Sequence, residues 1–233
     1  LLLSSTFVLN SMGVIDEAAI DRLFLVSELA KHVCVHSSED RPALTDEDED
    51  LDEEFRKQAE EELSDFFPPL VWVLRDFVVD LIDESGTMLT SSQYMEAALK
   101  PRGGKSKRVG ERNTVRSSIR ALFRDRDCMT FPRPAAEEGA VRNARALSAE
   151  QINPEFLAQV GRLRQTLLRA PPKSLFGESL DGPHLLHLAK VMVATMNKGG
   201  VVPSIKSAWE YVVEQSCTTA IERAFAEYQR GIQ

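Results

Sequence analysis

Short apolar runs and stripes spaced by three and four divide the chain. Residues 1–9 (LLLSSTFVL) form an apolar run rich in strand formers, and Asn10–Gly13 closes it with turn residues; this predicts a buried strand. Asp16 then caps a helix in which Ile15, Ala19, Leu23, Val26, Ala30 and Val33 make one apolar stripe. Residues 70–76 (LVWVLRD) are almost continuously apolar, as a strand covered on both faces must be, and end on a charged pair. Residues 77–82 prolong that run, Ser85–Gly86 turns, and Thr90 caps a helix carrying Tyr94, Met95, Ala98 and Leu99 on one side. Next come a loop over 101–110 and a helix over 112–123 (Val115, Ile119, Leu122, Phe123). A short strand over 128–131 follows, ended by Pro132 and Pro134. A polar connection over 135–147 leads to a helix over 154–168. A linker over 171–183 with Gly and Pro separates this from helices over 185–197 and 204–230. Strands alternating with helices, then helices alone, read as an α/β fold with a mostly parallel sheet, followed by the start of an all-helical part.

Length and charge sharpen this. The 233 residues make one large domain or one and a half ordinary ones. The formal net charge is −8, but residues 39–65 hold 14 acids against Arg41, Arg56 and Lys57, a local charge of −11, so the remainder is +3. Like charges at this density predict a solvated insertion with a frayed helix over 51–64. The 100–145 stretch has 13 bases against 5 acids. It carries few aromatics to stack bases, so no nucleic-acid partner is expected; pairing with the acidic stretch is an alternative use. Cys34, Cys128 and Cys217 are odd in number and far apart, which argues against a disulfide framework and for a reducing, cytoplasmic compartment. No apolar run approaches the roughly 18 residues of a membrane span. The chain opens on Leu1 inside a strand pattern, without Met, as a piece of a longer protein would.

The chemistry of interest sits at the end of the 70–76 run. Ligands of parallel α/β sheets bind beyond the carboxyl ends of the strands. A carboxylate there, Asp76, can accept two hydrogen bonds from the N1–H and 2-amino group of guanine. Adenine has an acceptor at N1 and no 2-amino group, so it leaves the carboxylate unpaired, which costs roughly a hundredfold in affinity. The plainer reading is that Arg75 and Asp76 form a surface salt bridge that closes a strand.

The ordered set STFVLNSMG (5–13), the helix from Asp16, Phe66–Pro68, WVLRDF (72–77), Thr90 with Tyr94, Ile119–Phe123 with Cys128, Arg133–Pro134, Pro154–Phe156, Gly182–Pro183, and Pro203 before Trp209 resembles the guanylate-binding protein family of dynamin-like large GTPases. The stretch SIRALFRDRDC (118–128) resembles plant and protist members more than vertebrate ones. The resemblance spans nearly the whole chain and breaks at the acidic stretch. It implies that residues 1–178 are the C-terminal half of a GTPase domain, 179–203 a connection, and 204–233 the start of a helical middle domain. It implies that Asp76 contacts the guanine edge while Arg75 flanks the base. The segment with Arg133 and Pro134 would form a cap over guanine and a contact in a homodimer of GTPase domains. Vertebrate relatives carry further bases just beyond that dipeptide, where this chain has Ala136, Glu137 and Glu138. GTP is the implied substrate, GTP and GDP the ligands, and Mg²⁺ the implied cofactor, with its ligands expected upstream. No catalytic residue and no metal ligand is expected within these residues. Two other readings stay open: a GTPase-like scaffold without catalysis of its own, and an atlastin-like membrane-remodelling protein, so membrane association of the intact protein is a further implication.

The phosphate loop G-x-x-x-x-G-K-[ST] is not in this chain. Gly103–Ser106 (GGKS) has Leu99 where the first glycine would stand and follows a predicted helix rather than a strand. Asp83–Gly86 fits D-x-x-G only as a turn, and Asn197–Gly200 starts like Asn-Lys-x-Asp but ends in Gly. His32, Cys34 and His36 read as a frayed helix end, and His184 and His187 as packing or surface residues.

Overall fold

The computed structural model describes residues 1–23, 57–58, 60–83, 85–142, 147–198 and 204–232. Val26, Ala30, Val33, His32, Cys34, His36 and the acidic positions 39–54 lie outside the described residues, as do Gly199, Gly200 and Pro203. The described residues of 1–27 and 64–172 form one unit, and those of 28–63 and 173–233 a second.

The first unit is the α/β part. Strands β1 (Phe7–Met12), β2 (Leu70–Arg75) and β3 (Arg126–Thr130) form a parallel sheet in the order β1-β2-β3. The middle strand β2 has Leu70, Val71, Trp72, Val73 and Leu74 all buried, which is why its sequence is apolar without alternation. On one face Val71, Val73, Met129 and Phe131 make a core that Val8, Phe156 and Leu163 cover. Phe131 and Phe156 meet edge to face at 5.7 Å.

The first strand is displaced from its expected place at 1–9. It starts at Phe7 and runs through Asn10 and Ser11, which the sequence marks as turn formers. Cross-strand bonding explains the shift. Trp72 Nε1 donates to Ser11 Oγ at 2.9 Å in a buried setting, and Arg75 Nε donates to Asn10 Oδ1 at 2.7 Å. Two polar side chains that locally favour a turn thus gain partners only in the strand. Gly13 then ends β1 at φ 73, a backbone state that costs glycine nothing.

The helices follow the sequence more closely. α1 is helical over 17–23, with Asp16 Oδ1 accepting from the Ala19 N–H at 2.8 Å, and Ile15, Ala19, Ile20 and Leu23 are buried. α2 is helical over 60–64. α3 (Ser91–Ala98) opens on a capping box between Thr90 and Gln93 and buries Met95. α4 (Lys107–Leu122) starts earlier than the expected Arg112, because Ser106 Oγ accepts from the Val109 N–H and supplies a cap inside the basic loop. A short helix α5 (Glu138–Arg142) lies in the connection read as irregular. α6 (Pro154–Arg169) starts after Asn153, whose side chain accepts from the Glu155 N–H at 2.9 Å.

In the second unit, the expected linker holds an antiparallel hairpin, β4 (Ser174–Leu175) with β5 (Glu178–Ser179). Its turn puts Phe176 at φ 50 and Gly177 at φ 86, the paired positive angles of a tight hairpin. Phe-Gly is an uncommon signal for that turn. α7 (Gly182–Asn197) is capped by Asp181 and α8 (Ile205–Gly231) by Ser204. Leu188 and Met192 of α7, and Ile205, Ala208 and Val212 of α8, are buried. Among the described residues no helix is long and apolar enough to cross a membrane.

Candidate functional site

The carboxyl ends of the three parallel strands meet at Asp76. The Gly13 N–H donates to the Arg75 carbonyl at 2.7 Å, and the Phe131 N–H donates to the Leu74 carbonyl at 2.8 Å. One residue on, the Phe77 N–H donates to the Phe131 carbonyl at 3.0 Å. Asp76 therefore lies between two anchored neighbours, one bound towards β1 and the other towards β3. Its φ is 53, a left-handed state rare for residues with a Cβ but tolerated by Asp and Asn. This ends the strand, so the expected continuation through 77–82 does not form; instead Ile82 bridges Met88 antiparallel.

The surroundings fix this corner. The Phe77 ring meets Tyr94 of α3 edge to face at 5.6 Å. The Tyr94 hydroxyl accepts from the Ile15 N–H at 3.2 Å, which ties α3 to the turn between β1 and α1. Burial pushes the Tyr94 phenol above its ordinary pKa, against the lowering effect of that bond.

Arg75 and Asp76 form no ion pair with each other among the described residues. The Arg75 Nε goes to Asn10 instead, and Arg75 is exposed while Asp76 is half-buried. Among the described residues the Asp76 carboxylate has no hydrogen-bond partner. A half-buried strand-end carboxylate with no protein partner among the described residues can accept from an incoming donor edge.

Arg133 and Pro134 lie two and three residues past Phe131, whose backbone is bonded to both Leu74 and Phe77. The segment thus leaves the sheet at the same end as Asp76. It is held from behind: the Asn153 N–H donates to the Pro134 carbonyl at 2.8 Å, and Asn153 Nδ2 to the Arg133 carbonyl at 3.4 Å. The Arg133 side chain is exposed, and it forms no ion pair with Asp76 among the described residues.

Two features escaped the sequence reading. One is Asn10, hidden because Asn10, Ser11 and Gly13 so close together read as a turn, and FVLNSM carries no apolar–polar alternation to mark it as a strand. The other is Glu17 on α1, which gathers three arginines: Arg102 Nη1 at 2.8 Å, Arg112 Nε at 3.6 Å and Arg116 Nη2 at 2.5 Å. The Arg116 side chain is 1% exposed and its Nε also donates to the Ala98 carbonyl at 3.2 Å. Positions 17, 98 and 116 are too far apart in sequence for any spacing rule to join them.

The short motifs at Asp83–Gly86 and Gly103–Ser106 have structural uses. Asp83 Oδ1 accepts from the Ser85 N–H, the Ser85 hydroxyl and the Thr87 N–H at 2.8, 2.6 and 2.9 Å, so its carboxylate closes a turn. The Ser85 hydroxyl, then Thr87, hold its pKa below the ordinary value. Ser106 of GGKS caps α4, downstream of a helix and not of a strand. His184 Nδ1 lies 2.7 Å from Asp181 at the start of α7. Among the described residues no three His, Cys, Asp or Glu side chains gather to hold a metal ion.

Cys128 faces the core of the sheet and is 4% exposed. Burial, aided by Asp127, pushes its thiol up to about 12. Iodoacetamide at pH 8 is expected to leave Cys128 unmodified in the folded protein while labelling exposed Cys217 on α8. Peptide mass mapping checks this; rapid labelling of Cys128 would contradict the packing described.

The family model for the guanylate-binding protein N-terminal domain matches residues 1–174, and that for the guanylate-binding protein C-terminal domain matches residues 177–233. The chain belongs to the guanylate-binding protein family. Human guanylate-binding protein 2 is 33% identical over 232 residues, covering 99% of this chain and 36% of that protein. Human guanylate-binding protein 1 is 32% identical over 231 residues, covering 98% of this chain and 37% of that protein, and rat guanylate-binding protein 2 is 31% identical over 230 residues. The chain spans little more than a third of the length of these guanylate-binding proteins. The Asp76 corner lies within the part matched by the N-terminal domain, and α7 and α8 within the part matched by the C-terminal domain.

Proposed function

We propose that this chain carries the base-recognising part of a GTP-hydrolysing guanylate-binding protein. The observation that carries the reading is the Asp76 carboxylate, without a partner among the described residues, at the carboxyl ends of three parallel strands. Asp76 accepts the N1–H and the 2-amino hydrogen of guanine together, and Arg75 flanks the base. The segment with Arg133 and Pro134 covers the base and supplies a contact to a second copy. Residues 1–178 belong to the GTPase domain, 179–203 connect, and 204–233 begin the helical part.

These residues select the base; phosphate binding and hydrolysis need a phosphate loop, which this chain does not contain. Mg²⁺, which such a reaction would use, finds no fitting cluster of His, Cys, Asp or Glu side chains among the described residues. The base contact alone accounts for selectivity against adenine, since adenine leaves a carboxylate unpaired.

The test is competition in the full-length protein. Unlabelled GTP should displace a fluorescent guanosine nucleotide at least a hundred times more effectively than ATP does. Equal displacement by ATP would remove Asp76 from base recognition.

A further inference from the structure

Arg75 and Asp76 are chain neighbours at an exposed strand end. A guanidinium so close to a carboxylate has an obvious partner in it, and a two-pronged pair would occupy both oxygens that a base edge needs. The structure does not contain that pair. Arg75 lies on the β2 face shared by Val71 and Val73, and the register puts Asn10 opposite Val73 and Met12 opposite Arg75. Asn10 is thus the diagonal cross-strand neighbour of Arg75 on the same face, and its Oδ1 accepts from Arg75 Nε at 2.7 Å. Asp76, at φ 53, leaves the regular alternation of the strand, and the bonds from Gly13 to Arg75 and from Phe77 to Phe131 hold it there.

We propose that Asn10 is a positioning residue for base selection: by engaging the Arg75 guanidinium on β1, it keeps that cation from closing on Asp76 and leaves both carboxylate oxygens to the ligand. This rests on Asp76 being the base contact. Asn10 acts through Arg75 and touches no ligand itself. Asn10 and Arg75 are exposed, so water competes for the bond, and its loss should cost several-fold rather than hundreds-fold in affinity.

The experiment uses full-length protein and titrates fluorescent GDP and IDP. Hypoxanthine keeps the N1–H of guanine and lacks the 2-amino group, so the GDP-to-IDP ratio reads whether both oxygens are free. Asn10→Val removes the acceptor and suits a strand; Asn10→Ala serves if the valine variant does not fold. The expected result is a roughly fivefold loss of GDP affinity with a smaller loss for IDP, and recovery of both in Asn10→Asp, which keeps an oxygen for Arg75. Unchanged GDP affinity would overturn the proposal. So would equal losses for GDP and IDP, the mark of a merely structural role, or failure of Asn10→Asp to recover. Asp76→Asn in the same assay separates the two readings. If it leaves GDP binding intact, the base assignment itself fails; if it weakens GDP while Asn10→Val does not, only the role of Asn10 fails.

Discussion

Asp76→Asn should weaken guanine nucleotides about a hundredfold and raise the affinity for xanthine nucleotides. Two hydrogen bonds to a charged acceptor are worth roughly 1.5–3 kcal/mol each, and Asn keeps one acceptor while presenting an N–H₂ towards the 2-amino group of guanine. Two donors then face each other. Xanthine carries an oxygen at that position, so the same N–H₂ gains a partner. The variant should fold, because Asn is at least as tolerant as Asp of the left-handed backbone at φ 53, and the main-chain bonds that hold it run through Arg75 and Phe77. Titration of fluorescent GDP and xanthosine diphosphate with the full-length protein, against its melting temperature, measures both effects. An unchanged preference for GDP would place base recognition elsewhere in the protein.

The largest effect on stability is expected at Glu17. Arg116 is a charge almost wholly out of water, and its ionic partner among the described residues is Glu17, which is 23% exposed. Removing one member of a buried pair costs roughly 3–5 kcal/mol, since the other is left charged and unpaired. Partial access of water to Glu17 lowers this, so Glu17→Ala should cost about 2–4 kcal/mol. The pairs with Arg102 and Arg112, at 60% and 33% exposure, contribute little to that figure. The cost belongs to the stranded arginine and not to the missing glutamate. Glu17→Ala with Arg116→Met should therefore recover much of the loss, because Met fills similar space without a charge. Urea unfolding followed by intrinsic fluorescence compares the single and double variants. A double variant no more stable than Glu17→Ala alone would show that Arg116 is not what Glu17 supports.

Periodicity and charge were informative where local and tertiary preferences agree. The all-apolar Leu70–Leu74 run, short and rich in Val and Trp, reads as a strand covered on both sides, and it is the middle strand of the sheet. Thr90, Asn153 and Ser204 cap helices because short oxygen-bearing side chains satisfy free N–H groups whatever the fold around them. Where the two preferences conflict, the sequence misled. Asn10 and Ser11 favour a turn locally, and became strand residues because Arg75 and Trp72, more than sixty positions away, offered them hydrogen bonds.

The candidate site divides in the same way. Local sequence was enough to put Arg75 and Asp76 at a strand end and to set the resemblance on WVLRDF. Whether the two side chains bond each other was decided by the register between β1 and β2, which brings Asn10 to Arg75. The left-handed backbone of Asp76, held by anchors towards the strands on both sides, was likewise beyond local reading, as was the burial of Arg116 against Glu17. Chain chemistry by itself determined most of the helices, the middle strand, the family resemblance and the residue types at the sheet end. Tertiary structure decided which charges pair with each other and which keeps no partner among the described residues, because a hydrogen bond acts over about 3 Å in space and takes no account of separation along the chain.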